Sequence, residues 1–565
     1  MQDFAHLLDR LSYEPRRNGK LALLEAYFRQ TPDPERGYAL AAITDALTFQ
    51  NAKPGMIRAL IAERTDPVLF SLSRDYVGDL SETVALLWPK RPPGEGLMGH
   101  NHPPTGPLLS EVVTQLATMG KASLPGQLAD WLDTLDETGR WALLKLITGA
   151  LRVGVSARLA KTAVARLGPV PADAVEEVWH GLLPPYETLF AWLEGRGEAP
   201  AADDPAPFRP PMLATPTDLD ELTKSYQPAD YAAEWKWDGI RIQIAAGDDD
   251  AGRLVVRLYS RAGEDISAAF PDVCDAVTFR GALDGELLIV KGGLIQPFNV
   301  LQQRLNRKTV TAALLRQYPP HVRLYDILAA GTRDMRPAPY AERRAALEAL
   351  AGGLPPLFSV SPKVAFQTWD DIARARKDPQ SAGAGEDAPA VEGLMLKRLD
   401  SAYVPGRPKG PWFKWKRDPF LIDAVMMYAQ RGSGKRSSFY SDYTFGVWTE
   451  ARELVPVGKA YFGFTDEELA QIDKFVRNHT VHRFGPVREV VHGEDEGLVL
   501  EIAFEGLQRS TRHKSGVAMR FPRVSRLRWD KPPAEADTLK TLKRLLRADR
   551  IPKKHPREEN LSFDF

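Results

Sequence analysis

The sequence predicts a multidomain chain with an all-α N-terminal domain, an antiparallel α+β domain and a small β-barrel domain, in that order. Three observations predict this. From Met1 to about Gly197, Leu and Ala recur at spacings of three and four, as in LLEAYFRQ and DWLDTLDETGRWALLKLITGALRVGVSARLAKTAVARL, which is the period of helices with one buried face. Beyond a Pro- and Ala-rich break the pattern changes to short runs that alternate with a period of two, such as YAAEWKWDGIRIQIA, LVVRLYS and ALDGELLIV, the signature of half-buried strands. The length of 565 residues corresponds to three or four domains at about 150 residues each.

Each element follows in turn. Residues 1–197 read as one helical domain, punctuated at Lys53-Pro54-Gly55, from Pro92 to Pro107 and at Pro184-Pro185. Within it, Gly154 can end one helix and Ser156 can cap the next. Free backbone N–H groups would then lie beside Arg152, Arg158 and Lys161, an arrangement suited to a backbone phosphate. An ordinary helix hairpin with solvated basic residues explains the same residues equally well. Residues 198–207 lie in the aperiodic segment EGRGEAPAADDPAPFRPP and read as a linker. Residues 208–417 carry the alternating runs, with a helical stretch from Tyr340 to Leu350, and predict the α+β domain. Residues 418–535 contain LIDAVMMYAQ, YTFGVWTE and GLVLEIAFEGLQRS with a helical insert from Thr465 to Asn478, which suits a small barrel of the OB-fold type. Residues 536–565 form a basic tail that begins with an amphipathic helix.

Composition narrows the function classes. A hydrophobic content of 44% supplies several cores and excludes a globally disordered chain. The single cysteine, Cys274, permits neither an internal disulfide nor a thiolate zinc site. The N-terminus lacks a charged-then-apolar signal pattern, and no stretch approaches the length that spans a bilayer. A soluble, intracellular, cytoplasmic protein with no membrane partner is expected. The 74 basic and 74 acidic side chains cancel, which at first argues against a phosphate-rich partner.

The peptide that carries chemistry is Glu234-Trp235-Lys236-Trp237-Asp238-Gly239-Ile240-Arg241. On a strand, Glu234, Lys236 and Asp238 share one face. A lysine between two carboxylates is a poor nucleophile unless other cations offset their field. A bare match to this pattern is weak, and a solvent-facing strand edge would also produce it. Companions follow in order: Ser260-Arg261 after a strand, Asp284-Gly285-Glu286, Tyr325-Asp326, Glu392-Gly393-Leu394-Met395-Leu396-Lys397, and Trp412-Phe413-Lys414-Trp415-Lys416 with its lysines on one face and aromatics on the other. This inventory fits attack by Lys236 on a polyanion with metal assistance. Lys414 and Lys416 would stabilise phosphate charge and lower the pKa of Lys236. Glu286 and Glu392 could hold Mg²⁺ or ribose hydroxyls.

The ordered series EWKWDGIR, YSRAGED, ALDGELL, RLYDIL, VEGLMLK and WFKWK resembles motifs I to V of the covalent nucleotidyltransferases. The segment from Met519-Arg520-Phe521-Pro522-Arg523 to Arg528-Trp529-Asp530-Lys531 resembles the closing motif of ATP-dependent DNA ligases. DYVGDLSETVALL and LRVGVSARLAKTAVA are similar to the helical DNA-binding domain of the three-domain type. The resemblance spans nearly the whole chain. It implies that residues 208–417 are an adenylation domain, that Lys236 forms a lysine–AMP intermediate from ATP, that AMP then passes to the 5′-phosphate of a DNA nick, and that the 3′-hydroxyl displaces AMP and seals the strand. By the family pattern Glu234 reads the adenine amino group, Arg241 and Glu286 hold the ribose, and Arg261 contacts AMP or the nick phosphate. Glu392 positions Mg²⁺, for which Mn²⁺ could substitute, Lys414 and Lys416 grip the α-phosphate, and Lys397 completes the nucleotide site. Arg520, Arg528, Asp530 and Lys531 orient the pyrophosphate. Tyr325 stands where a stacking phenylalanine is common, and Arg407 stands for the arginine upstream of motif V, at an unusual spacing. The resemblance further implies a monomer acting on nicked duplex DNA in repair, replication or recombination.

RNA ligases and capping enzymes share motifs I to V, but the long helical domain and full closing motif disfavour them. NAD⁺ as AMP donor is disfavoured because those ligases carry a four-cysteine zinc finger. A non-catalytic nick-binding protein finds no support, since every polar residue of motif I is present. Arg431-Gly432-Ser433-Gly434-Lys435-Arg436-Ser437 imitates a phosphate loop but lacks the hydroxyl residue directly after Gly-Lys. Lys435 and Arg436 read instead as a basic loop near DNA. Gly94-Glu95-Gly96-Leu97-Met98 echoes motif IV from within a Pro-rich loop. His479, His482 and His492 lack zinc spacing. The neutral net charge is reconciled with DNA binding if basic residues gather on an inner surface, with an affinity that falls steeply with salt.

Overall fold

The structure, a computed structural model, describes residues 1–548 except 78, 90–105, 150, 201–203, 306, 308–309, 432–438, 485–486 and 511–512. Lys435, Arg436 and the Gly94–Met98 peptide therefore lie outside the described residues.

The N-terminal third is helical, from Gln2–Tyr13 to Glu187–Leu193, around a core that includes Leu8, Leu24, Phe28, Trp131, Leu143 and Phe190. Ser156 caps helix Ala157–Ala165 as expected, accepting from Leu159 N at 3.2 Å. The preceding helix, however, ends at Gly149 in the left-handed conformation, and Gly154 lies in the turn beyond it. Lys161 departs from the expected phosphate contact. Only 4% exposed, it donates to Glu176 at 2.6 Å and lies 4.5 Å from the Trp179 ring centroid. Helical spacing placed it beside Arg158, but its partner comes from the next helix. Arg152 and Arg158 are exposed, the latter paired with Asp173 at 2.8 Å. Lys161→Ala is therefore expected to leave the buried Glu176 carboxylate with only the 3.6 Å Arg158 contact and to destabilise this domain by about 3 kcal/mol. A thermal melt will show the loss.

The middle region is two mainly antiparallel sheets, each with one parallel pair: Thr215–Pro216 beside Trp412–Lys416, and Phe358–Val360 beside Pro320–Ala330. In one, strands Leu254–Ser260, Ile240–Asp248, Gly281–Lys291 and Pro320–Ala330 pair in that order. In the other, Trp412–Lys416, Val391–Arg398 and Tyr231–Trp237 are neighbours. The chain crosses between the sheets at Asp238-Gly239, immediately after the strand that carries Lys236. A Cβ at Gly239 would come within 2.5 Å of the Leu287 carbonyl oxygen, so only glycine permits this close crossing. Helix Tyr340–Ala351 covers the rear and is fixed by the fully buried Arg343–Asp326 pair at 2.8 Å.

The C-terminal region is OB-like. Strand Phe420–Arg431 pairs with Tyr440–Trp448, Val487–Val490 and Val499–Phe504, and Val499–Phe504 pairs with Arg523–Arg528. The expected helical insert is Asp466–Asn478, started by a capping box between Thr465 and Glu468. The hairpin Gly506–Arg509/Val517–Arg520 carries Arg520 towards the middle region. Helix Leu539–Ala548 follows, with Leu542 buried against the barrel core. Among the described residues no helix is long and apolar enough to cross a membrane.

Candidate active site

A cavity of about 330 Å³ opens between the two sheets. Its walls include Glu234, Lys236, Arg241, Glu286, Tyr325, Lys397 and Lys414, with Arg261 at the turn after strand Leu254–Ser260. Seven motif residues separated by up to 180 positions are thus gathered by strand pairing: Arg241 is in register with Glu286, and Lys236 with Gly393.

Lys236 Nζ donates to Glu392 Oε2 at 2.7 Å. Glu392 reaches this face only because the strand is irregular between Val391 and Gly393, since an even period from Lys397 would send it to the opposite face. Gly393 holds that irregularity at φ 144°, and a Cβ there would meet the Trp415 carbonyl oxygen at 2.3 Å. The expected lowering of the Lys236 pKa by Lys414 and Lys416 is not found. Burial does pull it down, but the Glu392 and Glu286 carboxylates outweigh burial and raise it above the ordinary lysine value. Lys416 is turned away to Glu505 at 2.9 Å and reaches Glu392 only at 3.8 Å, which leaves Glu392 as the nearest charge to Lys236. Burial tends to raise Glu392 itself, yet Lys236 and the neighbouring donors bring it well below the carboxylate range. Glu286 is pushed up to about 8 by burial, with the Glu392 charge adding to the rise.

Arg241 is held by three partners: the Met212 carbonyl at 2.5 Å, Asp284 at 2.5 Å and the Tyr403 hydroxyl at 2.8 Å. Lys397 lines the cavity, but its Nζ is committed to Glu234 at 3.1 Å and to the Tyr325 carbonyl at 2.9 Å. The Tyr325 ring forms part of the wall, as stacking on a base requires. Lys414, Arg261 and the exposed Arg407 have no carboxylate within salt-bridge distance among the described residues. Burial lowers the Lys414 ammonium, and Arg407, Lys416, Lys236 and Arg261 lower it further. Trp412 shares the face of Lys414 and lines the cavity, whereas Phe413 and Trp415 join Trp235 and Trp237 in the core behind. The expected separation of lysines from aromatics on this strand is therefore incomplete.

The C-terminal region contacts the middle region beside Glu392 rather than lining this cavity. Arg520 Nη1 lies 2.6 Å from both Asp238 oxygens, and its Nη2 lies 3.8 Å from Glu392. Arg528, Asp530 and Lys531 are not brought to the cavity. Arg528 and Lys531 bind Asp423 at 3.1 and 2.7 Å, and Asp530 pairs with Arg528 at 3.1 Å. Their spacing from Arg520 crosses into strand Arg523–Arg528, which turns them along the barrel.

Two family models match the chain. One is the ATP dependent DNA ligase domain over residues 211–416, and the other is the ATP dependent DNA ligase C terminal region over residues 436–531. The "Probable DNA ligase" of Koribacter versatilis (strain Ellin345) is 34% identical over 429 residues, covering 72% of each chain. This chain belongs to the ATP-dependent DNA ligases. "DNA ligase 1" of Korarchaeum cryptofilum (strain OPF8) is 28% identical over 570 residues, spanning 96% of the ligase and 98% of that protein. The solved structure named Pmar-Lig_Pre covers 93% of the ligase at a TM-score of 0.55 and 14% identity, a likeness of fold that takes in the helical third.

Sequence reasoning assigned no role to several residues around this cavity. Asp284 and Tyr403 orient Arg241, Tyr340 and Arg344 bind Glu234, and Asp238 receives Arg520. The Asp-Gly pair after Lys236 was a signal for the last of these. Nothing in the spacing of Tyr340 or Arg344 distinguished them from ordinary helix residues.

Proposed function

We propose that this ligase seals nicks in duplex DNA by three steps built on Lys236. The neutral Nζ attacks the α-phosphorus of ATP; an N–P bond forms, the bond to the bridging oxygen breaks, and pyrophosphate leaves with that electron pair. A 5′-phosphate oxygen at the nick then attacks the lysine-bound phosphorus, so that a phosphoanhydride forms and the amine is released. Finally the 3′-hydroxyl attacks the activated 5′-phosphate, the phosphodiester forms and AMP departs. The observation that carries this reading is the Lys236 amine on the wall of the cavity that Arg261 and Lys414 also line, neither of them in a salt bridge among the described residues. A polyanion fits that imbalance.

In this reading Oε2 of Glu234 accepts from the adenine amino group, Tyr325 stacks on the ring, and Arg241 with Glu286 holds the ribose. Lys414 meets the α-phosphate and Arg520 the leaving pyrophosphate. Lys416 joins them on parting from Glu505, and Arg528, Asp530 and Lys531 take part only in an arrangement that frees them from Asp423. Glu286 and Glu392 offer hard carboxylate oxygens suited to Mg²⁺ or Mn²⁺. Among the described residues no cluster of three His, Cys, Asp or Glu side chains could cage a metal alone, which suits an ion shared between carboxylates and phosphates. Such an ion would neutralise triphosphate charge. Residues 1–197 would grip the duplex as a DNA-binding domain, with Arg152 and Arg158 as candidates, and residues 418–535 would close over the nucleotide. Incubation of the monomeric chain with ATP, Mg²⁺ and a nicked DNA duplex is expected to give sealed strand. Sealing only of RNA ends, or only with NAD⁺, would overturn the reading.

The pH dependence has a defined sign. Attack needs the neutral amine, and the Lys236 pKa is raised, so lysine adenylation accelerates as pH climbs from neutral into the alkaline range. Glu392→Gln removes the largest raising charge. Its rate is expected to be lower overall by about 10- to 100-fold, with the half-maximum moved to lower pH. Single-turnover adenylation measured across pH checks this, and an unmoved half-maximum would contradict it.

A further inference from the structure

The carboxylate that faces the nucleotide is gripped asymmetrically. Glu234 is only 2% exposed, yet it lines the cavity. Tyr340 Oη, Arg344 Nη1 (3.1 Å) and Lys397 Nζ (3.1 Å) all donate to the same oxygen, Oε1. Oε2 receives no donor among the described residues. Each clamping group is itself fixed. Arg344 also binds Glu348 at 2.7 Å and the Ser361 carbonyl at 2.7 Å, and Lys397 also binds the Tyr325 carbonyl. Tyr340 is fully buried, and burial together with the adjoining Glu234 raises its hydroxyl far above the ordinary value, so it stays a donor. Tyr340 and Arg344 stand one turn apart on helix Tyr340–Ala351 and so present one face to the carboxylate. That helix is in turn anchored by the buried Arg343–Asp326 pair.

We propose that Tyr340 and Arg344 are positioning residues for base selection: by occupying Oε1 they leave Glu234 a single free acceptor, which selects purine nucleotides that carry an amino group at position 6. The proposal rests on the reading that Glu234 faces that group. A 6-amino group donates to Oε2. A 6-oxo group would set two acceptors against each other in a site screened from water, and a purine with hydrogen at position 6 would leave Oε2 unpaired. If the clamp is loosened, the carboxylate can rotate or recruit water, and the distinction fades.

The test uses the full chain and single-turnover formation of the lysine–nucleotide adduct from ATP, inosine triphosphate and purine riboside triphosphate. Tyr340→Phe keeps the ring and removes the donor; Arg344→Met removes the cation, and Arg344→Lys offers partial rescue. For Tyr340→Phe and Arg344→Met, kcat/KM with ATP is expected to fall about 10- to 100-fold, mostly through KM. The value for purine riboside triphosphate should stay within about twofold, so that selectivity collapses, and Arg344→Lys should recover part of it. Equal losses on all three nucleotides, or unchanged selectivity in variants that melt like the wild type, would overturn the proposal. Glu234→Gln separates the two layers. If it leaves selectivity intact, the reading of Glu234 itself fails. If it abolishes selectivity while Tyr340→Phe and Arg344→Met do not, only the clamp fails.

Discussion

Replacing Lys236 by alanine is expected to abolish formation of the enzyme–AMP adduct, a loss of at least about 10⁴-fold, since no other group can take over a covalent step. Among the cavity's other lysines, Lys397 is held by Glu234 and the Tyr325 carbonyl, and Lys414 sits two strands away from the strand of Lys236. Lys236→Arg should not rescue, because a guanidinium stays protonated and cannot attack. The same alanine variant should still seal a nick that already carries a 5′-adenylate, within about tenfold of the wild type, because that step bypasses the lysine. Gel assays of the two substrates side by side check both halves. Loss of both activities would mean that Lys236 serves the fold rather than the chemistry.

Arg520→Ala should slow adenylation from ATP by about 100-fold, the scale on which a single charged donor stabilises a transition state. Sealing of the pre-adenylated nick should fall by less than about tenfold. Arg520 is the C-terminal region's direct contact with Asp238, and the small cavity it shares with Glu392 and Lys416 adjoins the lysine rather than the base pocket. In the proposed reading its contribution belongs to the step in which pyrophosphate leaves. A double-mutant cycle with Asp238→Ala should show strong non-additivity, because each partner loses the same contact. Additive losses would place the two residues in separate roles.

Much of this site could be read along the chain. Lys236, Glu234, Glu286, Glu392 and Lys414 sit in short strand peptides whose order alone carried the resemblance, and the Thr465 cap and its helix were legible from local chemistry. What could not be read depends on contacts between distant segments. Glu392 faces Lys236 only through an irregularity at Gly393, which strict alternation does not anticipate. Lys161 looked like a phosphate ligand because its neighbours were visible, whereas Glu176, its partner, is a matter of helix packing. Lys416 was expected to act on Lys236, but Glu505 from the C-terminal region claims it. The same pairing is consistent with the neutral composition: many basic residues are already matched by acids, and among the described residues Arg261, Arg407 and Lys414 make no salt bridge.

The central claim is that Lys236 carries AMP. The most direct measurement is to incubate the full chain with ATP labelled at the α-phosphate and Mg²⁺, digest it, and map the label by mass spectrometry. One AMP is expected on the peptide that contains Glu234-Trp235-Lys236-Trp237, attached at Lys236 and released by pyrophosphate. Label on another lysine, or label retained in Lys236→Ala, would contradict it.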